Sequence, residues 1–123
     1  RGTALTVSNQ KTEASIININ EPIEPAEGGV TISELYTNKE KYANRIVKIR
    51  GKVTKYNAKI MGKNWIHIQD SQANQGKMDL TVTTTEDSRV GDIICMEGII
   101  TLDKDFGAGY FYSIIMENAR IVE

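Results

Sequence analysis

The chain is poor in the residues that build most small reactive centres. It has one cysteine, Cys95, and one histidine, His67. A lone cysteine forms no internal disulfide, and one Cys with one His excludes the usual Cys/His zinc site within a single chain. Both prolines, Pro22 and Pro25, fall in the first quarter of the sequence. No apolar run approaches the roughly 20 residues of a membrane-spanning helix. No phosphate-binding loop of the form GxxxxGK[ST] occurs. No Ser/His/Asp grouping surrounds His67, so a general base there would lack an orienting partner. The expectation is a non-enzymatic protein that needs no cofactor.

What is present is ordinary in bulk and uneven in detail. A length of 123 residues suits one domain with a modest core, and 40% hydrophobic with 25% charged residues suits a globular protein. The net charge of −1 argues against indiscriminate nucleic-acid binding. It hides a segregation along the chain. Residues 39–63 carry nine basic side chains against Glu40 alone, whereas residues 64–123 carry four basic against ten acidic.

Residues 1–29 differ from the rest. EPIEPAEGG (21–29) is acidic and rich in breakers, and SIININ (15–20) is a short strand candidate without an obvious partner. The reading is a linker or tether over 1–29 and a folded domain over 30–123. The chain opens on Arg1 rather than Met, which suggests a processed or trimmed form lacking any targeting segment. A short helix is expected over 33–43, with Ser33 as N-cap, Glu34 at the positive end of the dipole and Asn44 as the stop.

Beyond Asn44 the period changes to two. RIVKIRGKV (45–53) places Val47, Ile49 and Val53 on one face and Lys48, Arg50 and Lys52 on the other. Four more strands follow: 65–69 with Ile66 and Ile68 inward, 78–84 with Met78, Leu80 and Val82 inward, 93–102, and 110–122. Cys95 reads as a small hydrophobe in the fourth of the five. Glycines inside the first and fourth strands, Gly51 and Gly98, permit long strands to coil around a closed barrel. Five such strands point to an all-β, five-stranded Greek-key barrel of the oligonucleotide/oligosaccharide-binding (OB) type. The seven residues 85–91 are too few for the helix many OB barrels carry between the third and fourth strands. The helix at 33–43 is expected to cover the open end of the barrel instead.

RIVKIRGKV, MGKNWIHIQD (61–70), DLTVTT, VGDIICMEG and LDKDFGAGYFY together resemble a family of small exported bacterial OB-fold proteins, described as nucleic-acid-binding proteins or lipoproteins. The resemblance covers residues 30–123. It implies a periplasmic or other extracytoplasmic location and a membrane tether through a lipidated N-terminus.

Candidate site residues follow from the alternation. If Ile66 and Ile68 face in, Trp65 and His67 face out on the second strand, with Thr81 and Thr83 beside them on the third. That is the usual ligand face of an OB barrel. Trp65 is then a stacking platform for bases, or else it packs beneath a loop. Lys48, Arg50 and Lys52, with Lys59 and Lys63 in the first loop, either track a phosphate backbone or are solvated charges paired with acidic neighbours such as Glu97. The expected turn 103–109 offers Phe106 as a stacking group, with Tyr110 and Tyr112 just beyond, or is a tight aromatic-buttressed turn. Asp103 and Asp105 do not make an EF-hand, which needs a longer ligand series ending in Glu. Two functions are weighed. One is a module for single-stranded nucleic acid. The other is an envelope assembly module for a protein or oligosaccharide partner, with outward Ile93 and Ile99 as an interface or homodimer edge.

Overall fold

A computed structural model describes residues 23–70 and 78–123. The described residues form two short helices, α1 (Ile32–Thr37) and α2 (Lys39–Tyr42), and five strands. The strands are β1 (Ile46–Ile60), β2 (Lys63–Gln69), β3 (Leu80–Thr84), β4 (Ile93–Asp105) and β5 (Phe111–Val122). They close into a barrel in the order β1-β2-β3-β5-β4. Every pairing is antiparallel except β3 with β5, which is parallel.

The long first strand serves two neighbours. Its first half pairs with β4, from Ile46 opposite Ile99 to Lys52 opposite Ile93, and its second half pairs with β2. The change of partner falls at Lys52, next to Gly51, which closely approaches the end of β2. A Cβ at Gly51 would sit 2.9 Å from the Gln69 carbonyl oxygen and 3.2 Å from Ile68 Cβ. Gly98 is tighter: its Cβ would lie 2.6 Å from Met116 Cγ. Glycine is needed at both because neighbouring backbone or side chains occupy the space.

The period-two residues meet inside. Val47, Ile49, Val53, Ile66, Ile68, Leu80 and Val82 form one buried cluster with Met96, Ile100 and Met116. Ile32 and Leu35 of α1 belong to the same cluster, so the helix covers an end of the barrel. Cys95 is buried too, and burial pushes its thiol pKa up.

Local boundaries differ from expectation for identifiable reasons. The N-cap is Thr31, not Ser33: its Oγ1 accepts from the Glu34 amide at 3.1 Å. The spacing Thr31-x-x-Glu34 is that of a capping box. The buried Asp70 carboxylate accepts the Ile32 amide at 2.9 Å, tying the helix start to the end of β2. The single expected helix is split at Asn38, whose φ of −122° and ψ of 43° leave the helical region. Strand β4 runs on to Asp105, because Lys104 and Asp105 pair with Tyr112 and Phe111. The expected turn 103–109 therefore contracts to Phe106–Tyr110, closed by two backbone hydrogen bonds and by positive φ at Gly107 and Gly109.

Residues 23–29 fall inside the expected linker. There Ile23 and Ala26 are buried, and just beyond them the Val30 amide donates to the Lys48 carbonyl at 3.0 Å. Residues 1–22, with the SIININ segment, lie outside the described residues.

Candidate functional site

The site is assembled by a bulge, a tight hairpin and a turn. The β1–β2 register shifts between Val53 and Lys55, which reverses the facing of everything after it. Lys55 and Asn57 consequently point outward, opposite His67 and Trp65. The hairpin then turns on Met61 and Gly62, with φ of 53° and 76°. Two consecutive positive φ values are the mark of a type I′ turn, a conformation that methionine adopts reluctantly. It leaves Ile60 and Met61 exposed at the hairpin tip. Facing them across the outer surface is the turn 106–110, with Tyr110 52% exposed. Between hairpin and turn lies a groove of about 360 Å³ lined by Lys55, Asn57, Ile60, Met61, Trp65, His67, Tyr110 and Tyr112.

Trp65 is on this outer face, yet only 6% of it is exposed. Its indole is not an open platform but an anchor. Phe106 meets it edge-on with centroids 5.0 Å apart, and Tyr112 lies tilted at 5.9 Å. Its Nε1–H donates to the Ile60 carbonyl at 2.8 Å. The tryptophan thus ties the hairpin to the β4–β5 turn, the two walls of the groove. Phe106 is engaged as well: the Lys104 and Lys63 ammonium groups lie 5.3 Å and 6.0 Å from its ring. Burial pushes the Tyr112 phenol pKa up, with Tyr110 adding to the shift.

His67 has an orienting partner that the sequence reading missed. Its Nδ1 lies 2.7 Å from Asp79 Oδ2. A carboxylate only accepts, so Nδ1 carries the proton and Nε2 is the nitrogen left for a ligand. That hydrogen bond is the main cause holding the Asp79 carboxyl below its ordinary value, against partial burial; the His67 and Lys55 charges assist. Asp79 also connects the site to the helix, since Tyr36 Oη–H donates to its carbonyl at 2.8 Å. Burial, then the Asp79 charge, push the Tyr36 phenol pKa up.

The remaining expected site residues scatter. Thr81 and Thr83 are buried, not displayed: β3 is held between β2 and β5 and all five of its residues are buried. The basic row lies on the other half of β1. Lys48 Nζ reaches the Glu27 carbonyl at 3.4 Å, Arg50 binds the Glu24 carbonyl and the Glu123 carboxylate, and Lys52 is 8% exposed. The N-terminal segment and chain end thus occupy Lys48 and Arg50, and none of the three lines the groove. Glu97, although opposite Lys48 in register, is bound by Arg120 at 3.1 Å. Lys59 lies on the far side of the hairpin, in a smaller cavity with Lys63, Asn64 and Asp87. Trp65, His67, Tyr110 and Tyr112 are the predicted residues that the fold brings together in the groove, with Phe106 packed against Trp65; Lys55, Asn57, Ile60, Met61 and Asp79 are its additions.

Among the described residues no group of three or more His, Cys, Asp or Glu side chains is arranged to hold a metal ion. Comparison with protein-family models, with curated proteins and with solved structures finds no match.

Proposed function

We propose that this chain is a non-enzymatic binding module with an OB fold, and that its ligand is single-stranded nucleic acid held between the β1–β2 hairpin and the β4–β5 turn. The closed order β1-β2-β3-β5-β4 with one parallel closure supports the fold assignment. The observation that carries the ligand assignment is the composition of the groove. It has a half-exposed tyrosine on one wall, apolar side chains on the other, aromatic rings beneath, and Lys55 with His67 at its polar end. A base stacks on Tyr110, a contact of roughly 1–3 kcal/mol. Asn57 and His67 Nε2 bond base or sugar edges. Lys55, with Lys63 and Lys104 beside Phe106, neutralises phosphates.

The test is fluorescence anisotropy with a labelled single-stranded oligonucleotide. Two or three phosphate contacts on a single strand predict a roughly 7- to 20-fold loss of affinity between 50 and 200 mM salt. No binding at the lower salt would sink the reading.

A second reading is favoured by one observation. Ile60, Met61 and Tyr110 are all exposed and line the groove where the hairpin and turn meet. Such an apolar lip suits a protein partner in the cell envelope, the setting implied by the sequence resemblance. Affinity for a captured envelope protein that ignores salt and is lost in Met61→Asp would favour it over nucleic acid.

A further inference from the structure

His67 is the chain's only histidine, it lines the groove, and 27% of its side chain is exposed. We infer that His67 is a proton-operated contact for the backbone of the bound strand. Neutral, it accepts a hydrogen bond from a base or sugar. Protonated, it joins Lys55 in holding a phosphate, so the strand binds more tightly in mild acid. This role rests on the groove reading and deepens it: it names the part of the strand that meets this end of the groove, and the condition under which it does so.

Three features of the surroundings carry it. First, the ring is held by one nitrogen. Nδ1 lies 2.7 Å from Asp79 Oδ2, and Nε2 makes no hydrogen bond to any described residue. With the Nδ1 proton committed to a carboxylate, neutral Nε2 is an acceptor and repels a phosphate oxygen. One added proton turns it into a cationic donor without moving the ring. Secondly, the carboxylate that faces the charged ring persists in mild acid. The hydrogen bond with His67 is the main cause holding the Asp79 carboxyl below its ordinary value. Imidazole is the side chain whose charge changes between about pH 5 and 8, where such a carboxyl stays ionised. Asp79 is itself held in place, since Tyr36 of α1 donates to its carbonyl at 2.8 Å. Thirdly, Lys55 stands directly opposite His67 in the β1–β2 register and lines the same groove. Protonation therefore places two cationic donors side by side, the arrangement a phosphate takes.

The groups around the ring give the sign. Asp79 faces it from the segment entering β3, and Lys55 faces it from β1. Thr81, its partner in register on β3, has no charge. Tyr110 and Tyr112 line the groove from the β4–β5 turn and from β5, and Tyr36 lies behind Asp79. Phenols are neutral at and below about pH 8. With a neutral ring the Asp79 and Lys55 charges offset each other. Protonation adds one positive charge to this end of the groove. A polyanion prefers the protonated state, so affinity rises as pH falls.

The test is fluorescence anisotropy of the whole chain with an oligothymidine strand, carrying a pH-insensitive label and no terminal phosphate, in a salt series at about pH 7.5 and about pH 5.5. Nothing on such a strand titrates in that range. Affinity at about 50 mM salt is expected to be roughly five- to tenfold higher at the lower pH. The log–log salt slope is expected to steepen by about 0.7, the value of one added phosphate contact on a single strand. His67→Gln, which takes up no proton, is expected to bind with the same affinity and slope at both pH values. Linkage supplies a second readout on the parent chain: a saturating strand must move the His67 imidazole titration, followed through its ring C–H NMR signals, to higher pH. That readout holds even if His67→Gln fails to fold, which thermal melts at both pH values would show. Equal affinity and slope at the two pH values, a pH response retained in His67→Gln, or an imidazole titration that the strand leaves in place would overturn the inference and leave the groove reading standing. A strand that binds at neither pH takes both down.

Discussion

Replacing Trp65 by phenylalanine separates an anchoring role from a contact role. The indole is almost wholly buried and makes one directional bond, Nε1–H to the Ile60 carbonyl at 2.8 Å. Phenylalanine cannot make that bond, and the net loss is about 1 kcal/mol, because the carbonyl belongs to an exposed residue that water can reach. The smaller ring also gives up roughly 50 Å² of buried apolar area, about 1.3 kcal/mol at 25 cal/mol per Å². Edge-on contact with Phe106 is weakened as well. The sum is about 2–3 kcal/mol. In urea, with a slope of about 1.5 kcal/mol per molar, the midpoint should fall by roughly 1.3–2 M at unchanged slope. Tyr110→Ala is the contrast: its exposed ring should cost under about 0.5 kcal/mol of stability. A midpoint shift below about 0.3 M for Trp65→Phe would refute the idea that this indole ties the hairpin to the turn.

Further outcomes follow from the same geometry. Gly98→Ala must displace Met116 and Ala119, whose atoms stand 2.6 and 2.9 Å from the added Cβ, and should destabilise by about 1–3 kcal/mol in the same urea assay. Asp79→Asn addresses the His67 pair. Because the Asp79 carboxyl titrates below its ordinary value, its contribution is fully present above the unfolded value of about 3.9 and is lost as pH falls through the lowered one. The stability gap between parent and variant should therefore be constant near neutrality and close in acid, as read by thermal melts at stepped pH. Thr31→Ala should cost about 1 kcal/mol through loss of the helix cap, whereas Ser33→Ala should cost little.

Much of the barrel is legible in the sequence because period-two alternation is local. Ile66 and Ile68 read as inward from MGKNWIHIQD alone, and they are buried. Gly51 and Gly98 stand out inside apolar strands, and both sit where a Cβ would collide. The site is less legible because it depends on breaks in that alternation. The bulge after Val53 inverts the facing of Lys55 and Asn57, and nothing in KVTKYN announces it. Burial of Thr81 and Thr83 depends on β5, a strand more than thirty residues away in sequence that pairs in parallel. Lys48 and Arg50 are occupied by carbonyls 21 and 26 residues upstream. Two misses had a visible signal. Thr31-x-x-Glu34 has the spacing of a capping box, and Asp79 shares the outward parity of Thr81, the residue opposite His67.

The groove account rests most directly on one measurement, the affinity of a single-stranded oligonucleotide for the parent chain and for Tyr110→Ala across a salt series. The account predicts binding at 50 mM salt, a log–log slope of about −1.4 to −2, and a loss of roughly 5- to 100-fold in the variant at every salt concentration. Parent binding that is absent at 50 mM salt, or that Tyr110→Ala leaves unchanged, would contradict it.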